Sequence, residues 1–343
     1  MRGHSNVQGI GTIGVKPVLA EDVIQALESE LGIELPESAG MDTLACLDAA
    51  CKGKIDAALI MGGNLYGASP DSLWAQKALD HIDFKLFLTT TLNTGHVHGM
   101  ENSEALILPV SARDEEWQPT TQESMFNYVR LSDGGIERLD NVKPEVEILA
   151  SMAEKMGLDS VLDFSAFKQH RHIRQVIARC IPGMANLKDI DIAKQEFHVK
   201  GRLLHTPDFK TPNGRANFVT HTLSKERLPS NVFSLTTVRS EGQFNTIIYE
   251  QKDSYRQVND RWSLLMNVDD MDKLGVEEGG LITLTSETGT MENLKAKAFP
   301  IPVGNLMAYY PEANVLVGRE VDPRSKTPAF KNVEVSARVS RVG

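Results

Sequence analysis

Apolar positions recur every three or four residues in some stretches of this chain and run together or alternate in others. Asp22 to Leu31 and Met41 to Lys52 carry apolar residues at i, i+3 and i+4, and Gly32 and Gly53 stop them, which predicts two helices. Asp56 to Met61 is a short apolar run that enters Gly62-Gly63-Asn64 directly and reads as a buried strand. Ser72 to Ile82 is a further amphipathic helix, and Lys85 to Leu88 and Leu106 to Pro109 are two more strands. Short apolar strands alternating with helices predict an α/β fold with a parallel, helix-covered sheet.

From about Arg113 to Val142 the pattern is polar and irregular, with a turn signal at Asp133-Gly134-Gly135. Pro144 to Met156 reads as a helix with Pro144 near its start and Gly157 as its stop. Residues 160–200 read as helices rich in His and Arg. After about residue 198 the texture turns to β. Phe233–Val238, Thr246–Tyr249, Leu281–Thr285, Leu294–Ala298 and Val333–Val339 read as strands, and Val268–Leu274 as one short helix stopped by Gly275. The expectation is a mostly β barrel domain, with a boundary near 195–230.

At 343 residues the chain has room for two ordinary domains, and 41% apolar with 24% charged residues is the balance of a soluble globular protein. A net charge of -10 argues against a broad nucleic-acid surface but leaves room for a local basic pocket. No apolar run reaches the ~20 residues that span a bilayer, and the first twenty residues lack a signal-peptide core. A cytoplasmic protein without a membrane span is expected. Cys46, Cys51 and Cys180 have no C-x-x-C spacing and suggest neither disulfides nor a complete metal or iron–sulfur site. His96 and His98 lack a neighbouring carboxylate or thiol and read as loop histidines, not ligands.

Candidate chemistry sits at strand ends. Gly62-Gly63-Asn64 and Thr89-Thr90-Thr91-Leu92-Asn93-Thr94 offer backbone N–H groups, hydroxyls and amides where nucleotides bind in open parallel sheets. The competing reading is a pair of polar loops with local caps. The β part holds three dense segments: Thr236 to Thr246 with Arg239, Tyr309 to Asn314, and Asp322 to Lys331 with three cations. Basic, hydroxyl-rich loops on an acidic protein suit a ligand that carries phosphates. The opening Arg2-Gly-His-Ser-Asn-Val-Gln-Gly9 also looks like a site segment, and it begins on residue 2.

Arg2 to Gly9, Ile60 to Asn64, Ala105 to Pro109, Thr236 to Arg239, Tyr310 to Leu316 and Ser325 to Phe330 resemble, in this order, the C-terminal half of molybdopterin-dependent oxidoreductases. These form the DMSO reductase family, and the resemblance is to its formate dehydrogenase-like alpha subunits. It covers essentially the whole chain. It implies a bis-molybdopterin guanine dinucleotide cofactor with molybdenum or tungsten.

By the same resemblance, residues 1–115 are the second half of an α/β molybdopterin-binding domain and 116–225 an irregular and helical connection. Residues 226–343 are the dinucleotide-binding barrel. Gly63, Asn64, Thr90 and Thr94 match places that hold one dinucleotide. Thr237, Arg239, Asn245, Tyr310, Asn314 and Lys331 fall in segments that contact pterins or phosphates. Arg2 matches an arginine that orients the substrate carboxylate beside the metal, and His4 stands where many formate dehydrogenases have glutamine.

No residue of this chain matches a metal ligand, because the iron–sulfur cysteines and the metal-ligating residue of the family lie upstream. The implied partners are therefore a missing N-terminal portion or complementing chain, a small substrate such as formate, and an electron-acceptor protein. Without the upstream strands, open sheet edges would leave the chain poorly stable and inactive alone. Two other readings stay open: a non-catalytic dinucleotide-binding or regulatory module on the same fold, and a nucleotide-binding α/β protein unrelated to molybdenum.

Overall fold

The computed structural model describes residues 6–200, 206–222, 229, 231–243 and 245–340. In chain order the first elements are α1 (Val7–Thr12), α2 (Glu21–Leu31), α3 (Thr43–Cys51), β1 (Ala57–Met61), α4 (Leu65–Ala68), α5 (Ser72–Asp80), β2 (Phe84–Thr89) and β3 (Glu104–Pro109). Next come β4 (Thr120–Glu123), β5 (Tyr128–Ser132), α6 (Glu145–Lys155), α7 (Phe164–Phe167), α8 (His170–Cys180), α9 (Ile190–Ala193) and β6 (Phe197–His198). The last are β7 (Val232–Val238), β8 (Ser263–Met266), α10 (Val268–Leu274), β9 (Leu281–Thr285), β10 (Thr290–Ala298), β11 (Asn305–Tyr309) and β12 (Val333–Val339). Two compact units result, one of residues 1–43, 88–91 and 108–222 and the other of 44–87, 92–107 and 223–343.

The expected parallel sheet is present, with strand order β1-β2-β3. Leu47 and Ala50 of α3, Ala78 and Leu79 of α5, and Ile82 form a buried cluster with Ala58 of β1 against it. Helix α5 starts where Asp71 accepts from the Trp74 N–H at 3.2 Å, an N-cap that satisfies one of the donors a helix start leaves unpaired. Its far end is closed by Lys85, which is fully buried. The ammonium donates to the carbonyls of Leu79 (2.8 Å) and Ile82 (3.1 Å) and to Ser103 Oγ. A lysine is tolerated there because three acceptors replace its water.

In the other unit, a small antiparallel sheet of order β4-β5-β6 occupies part of the stretch expected to be irregular. Its strands have two to five residues and are largely polar, so no apolar run announces them. Pairing sets Thr121 opposite Leu131 and Glu123 opposite Val129. Val129 joins Val176 and Cys180 of α8 with Ile181, Met184, Leu187, Ile190 and Val199 in that unit's core.

The β part closes into a six-stranded barrel, β10-β8-β11-β7-β12-β9. Phe233, Leu235 and Thr237 of β7 and Val333, Val335 and Ala337 of β12 alternate inward, the period-two pattern that fixes register. Closure leaves no free strand edge in the barrel. Strand β8 escapes the sequence pattern because Ser263, Leu264, Leu265 and Met266 are all buried; β11, also not expected, buries Leu306, Ala308 and Tyr309. Thr246–Tyr249, expected to be a strand, is not one: Asn245 Oδ1 accepts from the N–H groups of Ile247 (2.7 Å) and Ile248 (2.8 Å) and turns the backbone instead.

Candidate functional site

Strand β1 runs into Gly62 and Gly63, both left-handed, with φ of 60° and 71°. That turn favours glycine. Asn64, buried, then N-caps α4 by accepting from the Gly67 N–H at 2.7 Å. Its Nδ2 donates to Thr94 Oγ1 at 2.9 Å and to the Thr246 carbonyl at 3.3 Å. Asn93 Nδ2 donates to the Gly63 carbonyl at 3.0 Å. The expected residues Gly63, Asn64 and Thr94 are thus brought together, with the polar atoms of Asn64 spent inside the fold and Gly63 and Thr94 exposed. Thr90 is exposed just beyond β2 and belongs to the other unit. Arg2 and His4 lie outside the described residues.

The two loop histidines support this turn. His96 Nδ1 accepts from the Asn93 N–H at 3.1 Å, and burial holds its pKa below the usual value, favouring the neutral acceptor. His98 stacks on Tyr66 at 4.0 Å. Among the described residues no group of His, Cys, Asp or Glu is placed to hold a metal ion.

The barrel supplies a second set. Parallel pairing sets Tyr309 of β11 opposite Val238 of β7, so Arg239 and Tyr310 leave their strands at the same end. The Arg239 guanidinium lies over the Tyr310 ring at 5.4 Å. The Tyr310 pKa is raised by burial, with Arg239 opposing. Lys331 reaches the same end because β12 pairs antiparallel with β7, and its ammonium donates to the Thr237 carbonyl. Burial, then Arg239 and Arg256, push the Lys331 pKa down, as expected where three cations share one rim. Thr237 Oγ1 donates to the Phe330 carbonyl at 2.9 Å, and Asn245 serves its own turn. Asn314, fully buried, donates to the carbonyls of Gly67 (2.9 Å) and Ser69 (3.0 Å). Its Oδ1 is buried without a hydrogen-bond partner.

Sequence reasoning missed the groups behind this rim. Arg261, 2% exposed, grips Glu312 through Nε (2.6 Å) and Nη2 (2.9 Å). Asp253, fully buried, accepts from Tyr309 OH at 2.9 Å and from Arg256 at 2.6 Å. Both stand in the polar run Glu250 to Arg261, which carries six charged residues and which sequence reasoning passed over because it reads as a solvated loop.

The chain thus combines an α/β layer that ends in a glycine turn and hydroxyls with a closed barrel that bears a three-cation rim. Residues 233–334 match the molydopterin dinucleotide binding domain family. An uncharacterized oxidoreductase of Mycobacterium tuberculosis (strain ATCC 25618 / H37Rv) is 33% identical over 99% of this chain and 45% of its own length. A Staphylococcus aureus (strain bovine RF122 / ET3-1) chain with the provisional name formate dehydrogenase is 22% identical over 99% of this chain and 36% of its own length. The fold is also that of acetylene hydratase from Pelobacter acetylenicus, with a TM-score of 0.63 at 15% identity over 97% of this chain and 52% of that one. Residues 233–334 thus carry a molydopterin dinucleotide binding domain, and oxidoreductases are among the chain's relatives. It spans less than half the length of the curated relatives it matches.

The residues present fit such a cofactor. Cations for phosphates (Arg239, Arg256 and Lys331), an aromatic face (Tyr310) and an orphaned buried acceptor (Asn314 Oδ1) are the donor set a pterin dinucleotide calls for.

Proposed function

We propose that this chain is the C-terminal portion of a bis-molybdopterin guanine dinucleotide oxidoreductase that carries molybdenum or tungsten and oxidises formate to carbon dioxide. The observation that carries the reading is the cationic, aromatic rim of Arg239, Tyr310 and Lys331 on the barrel. Gly63 and Thr94 hold one dinucleotide through N–H and hydroxyl groups. Thr237, Arg239, Asn245, Tyr310, Asn314 and Lys331 line the segments that meet pterins and phosphates. The cofactor, when bound, supplies the two-electron chemistry, and the electrons leave to an acceptor.

This chain's own contribution is grip and orientation. Arg2 would present a planar, permanently charged fork to the substrate carboxylate, with His4 the other catalytic candidate of the same segment. An upstream or complementing polypeptide brings the metal ligand and the iron–sulfur cluster, so the function belongs to the combined protein. It is tested by formate-dependent reduction of an artificial viologen acceptor. Coexpression with the upstream polypeptide should give activity, and Arg2→Met should lower kcat/KM for formate at least about a hundredfold. Equal rates with and without formate would overturn the formate assignment.

A further inference from the structure

Arg239 carries an exposed cation of the barrel rim. Three neighbouring groups hold its segment. The Arg239 carbonyl accepts from Arg256 Nη1 at 3.0 Å, Ser240 Oγ accepts from Arg261 Nη1 at 2.8 Å, and the Glu241 N–H donates to Asp253 at 3.2 Å. Of these, Arg261 alone also bonds the second segment. Its Nη2 donates to the Tyr310 carbonyl at 2.5 Å, and its fork closes on Glu312. It also reaches Gln243 Oε1 at 3.2 Å, and Gln243 Nε2 donates to Tyr310 in turn at 2.8 Å.

A guanidinium this deeply buried is costly unless every face is paired. Here the paired faces are met by the two segments that carry Arg239 and Tyr310, with the Tyr249 and Tyr309 rings at 4.3 and 5.1 Å. Free, these two segments would each lose backbone freedom on meeting a ligand; held in advance, they lose little.

We infer that Arg261 is a positioning residue: it ties segment 239–243 to segment 310–312 and so presets the Arg239–Tyr310 pair for a nucleoside diphosphate group. The inference rests on the dinucleotide-binding reading of the barrel. It assigns Arg261 no contact with the ligand, since the residue is 2% exposed and each of its three guanidinium nitrogens donates within the protein.

The test is a double-substitution cycle on the full chain, read by titration with guanosine diphosphate. Arg261→Gln should weaken binding about tenfold, and Arg239→Ala should weaken it further. If Arg261 acts through Arg239, the double variant binds no more weakly than Arg239→Ala alone. Simple addition of the two effects, as a general loss of structure would give, overturns the inference. Should Arg261→Gln fail to fold by circular dichroism, Ser240→Ala takes its place. It removes one Arg261 bond, keeps the pair with Glu312, and should show the same non-additivity at about two- to threefold. A native chain that binds no guanosine diphosphate would overturn the dinucleotide reading together with this one. A native chain that binds, beside an Arg261→Gln variant that binds equally well, would overturn this inference alone.

Discussion

Asn314 Nδ2 donates to the carbonyl of Gly67 at 2.9 Å, so a residue from the barrel end of the chain closes the short helix α4 that follows β1. Asn64 caps the other end of α4 at Gly67 N. The two asparagines, expected as ligand contacts, therefore brace the glycine turn from both sides. Asn314→Ala should cost about 1–3 kcal/mol, because it strands buried carbonyls. Urea denaturation of the full chain measures this; an unchanged midpoint would contradict it.

Gly95 is a second test of the same turn. An added Cβ there would lie 2.6 Å from Asn64 Oδ1 and 2.9 Å from Asn93 Oδ1. Gly95→Ala should push Asn64 off Thr94 and lower stability by about 1–3 kcal/mol, the range for overpacking. Gly53→Ala is the comparison for a left-handed glycine in open space, where only backbone strain is added.

Lys85 gives a prediction about the α/β layer. Lys85→Met keeps the length of the side chain but leaves the Leu79 and Ile82 carbonyls and Ser103 without their donor. A loss of about 2–4 kcal/mol follows. Lys85→Arg, too large for a fully buried site, should not restore it.

The pH dependence centres on Glu116 in the other unit. Burial, with Glu145 beside it, pushes its carboxyl from the ordinary 4.5 up to about 7. The folded pKa exceeds the unfolded one, so this contribution is fully present below about pH 4.5 and is lost as pH rises through about 7. His170, with Nε2 at 3.7 Å from Glu116, is depressed by burial, so its own contribution is lost as pH falls. Glu116→Gln removes only the first slope. The variant should exceed the parent by about 2–3 kcal/mol at pH 8 relative to pH 4.5. Urea midpoints at the two pH values read this difference; a constant difference would contradict it.

What the sequence made legible was periodicity. The three parallel strands, helices α2, α5, α6 and α10, and barrel strands β7, β9, β10 and β12 have apolar residues at helical or alternating spacing, and so were expected. Strand β8 was hidden because it buries every residue, which leaves no alternation to see. The β4-β5-β6 sheet was hidden for the opposite reason: it is short and polar.

At the site, Arg239, Tyr310 and Lys331 were found as dense polar segments, but the register that gathers them is a property of β7, β11 and β12 together. Asn64 and Asn314 matched the expected positions, while the atoms they bond are inside the protein. Arg261 and Asp253 stand among other charges in the run Glu250 to Arg261, and nothing local distinguishes a buried hub from a solvated side chain.

The central claim is that this chain holds a molybdopterin dinucleotide. The most direct measurement is cofactor analysis of the purified protein, by metal quantification and by fluorescence of the oxidised pterin. The account predicts molybdenum or tungsten together with pterin, and loss of both on Arg239→Ala, Lys331→Ala double substitution. Protein that folds and purifies with neither metal nor pterin would contradict it.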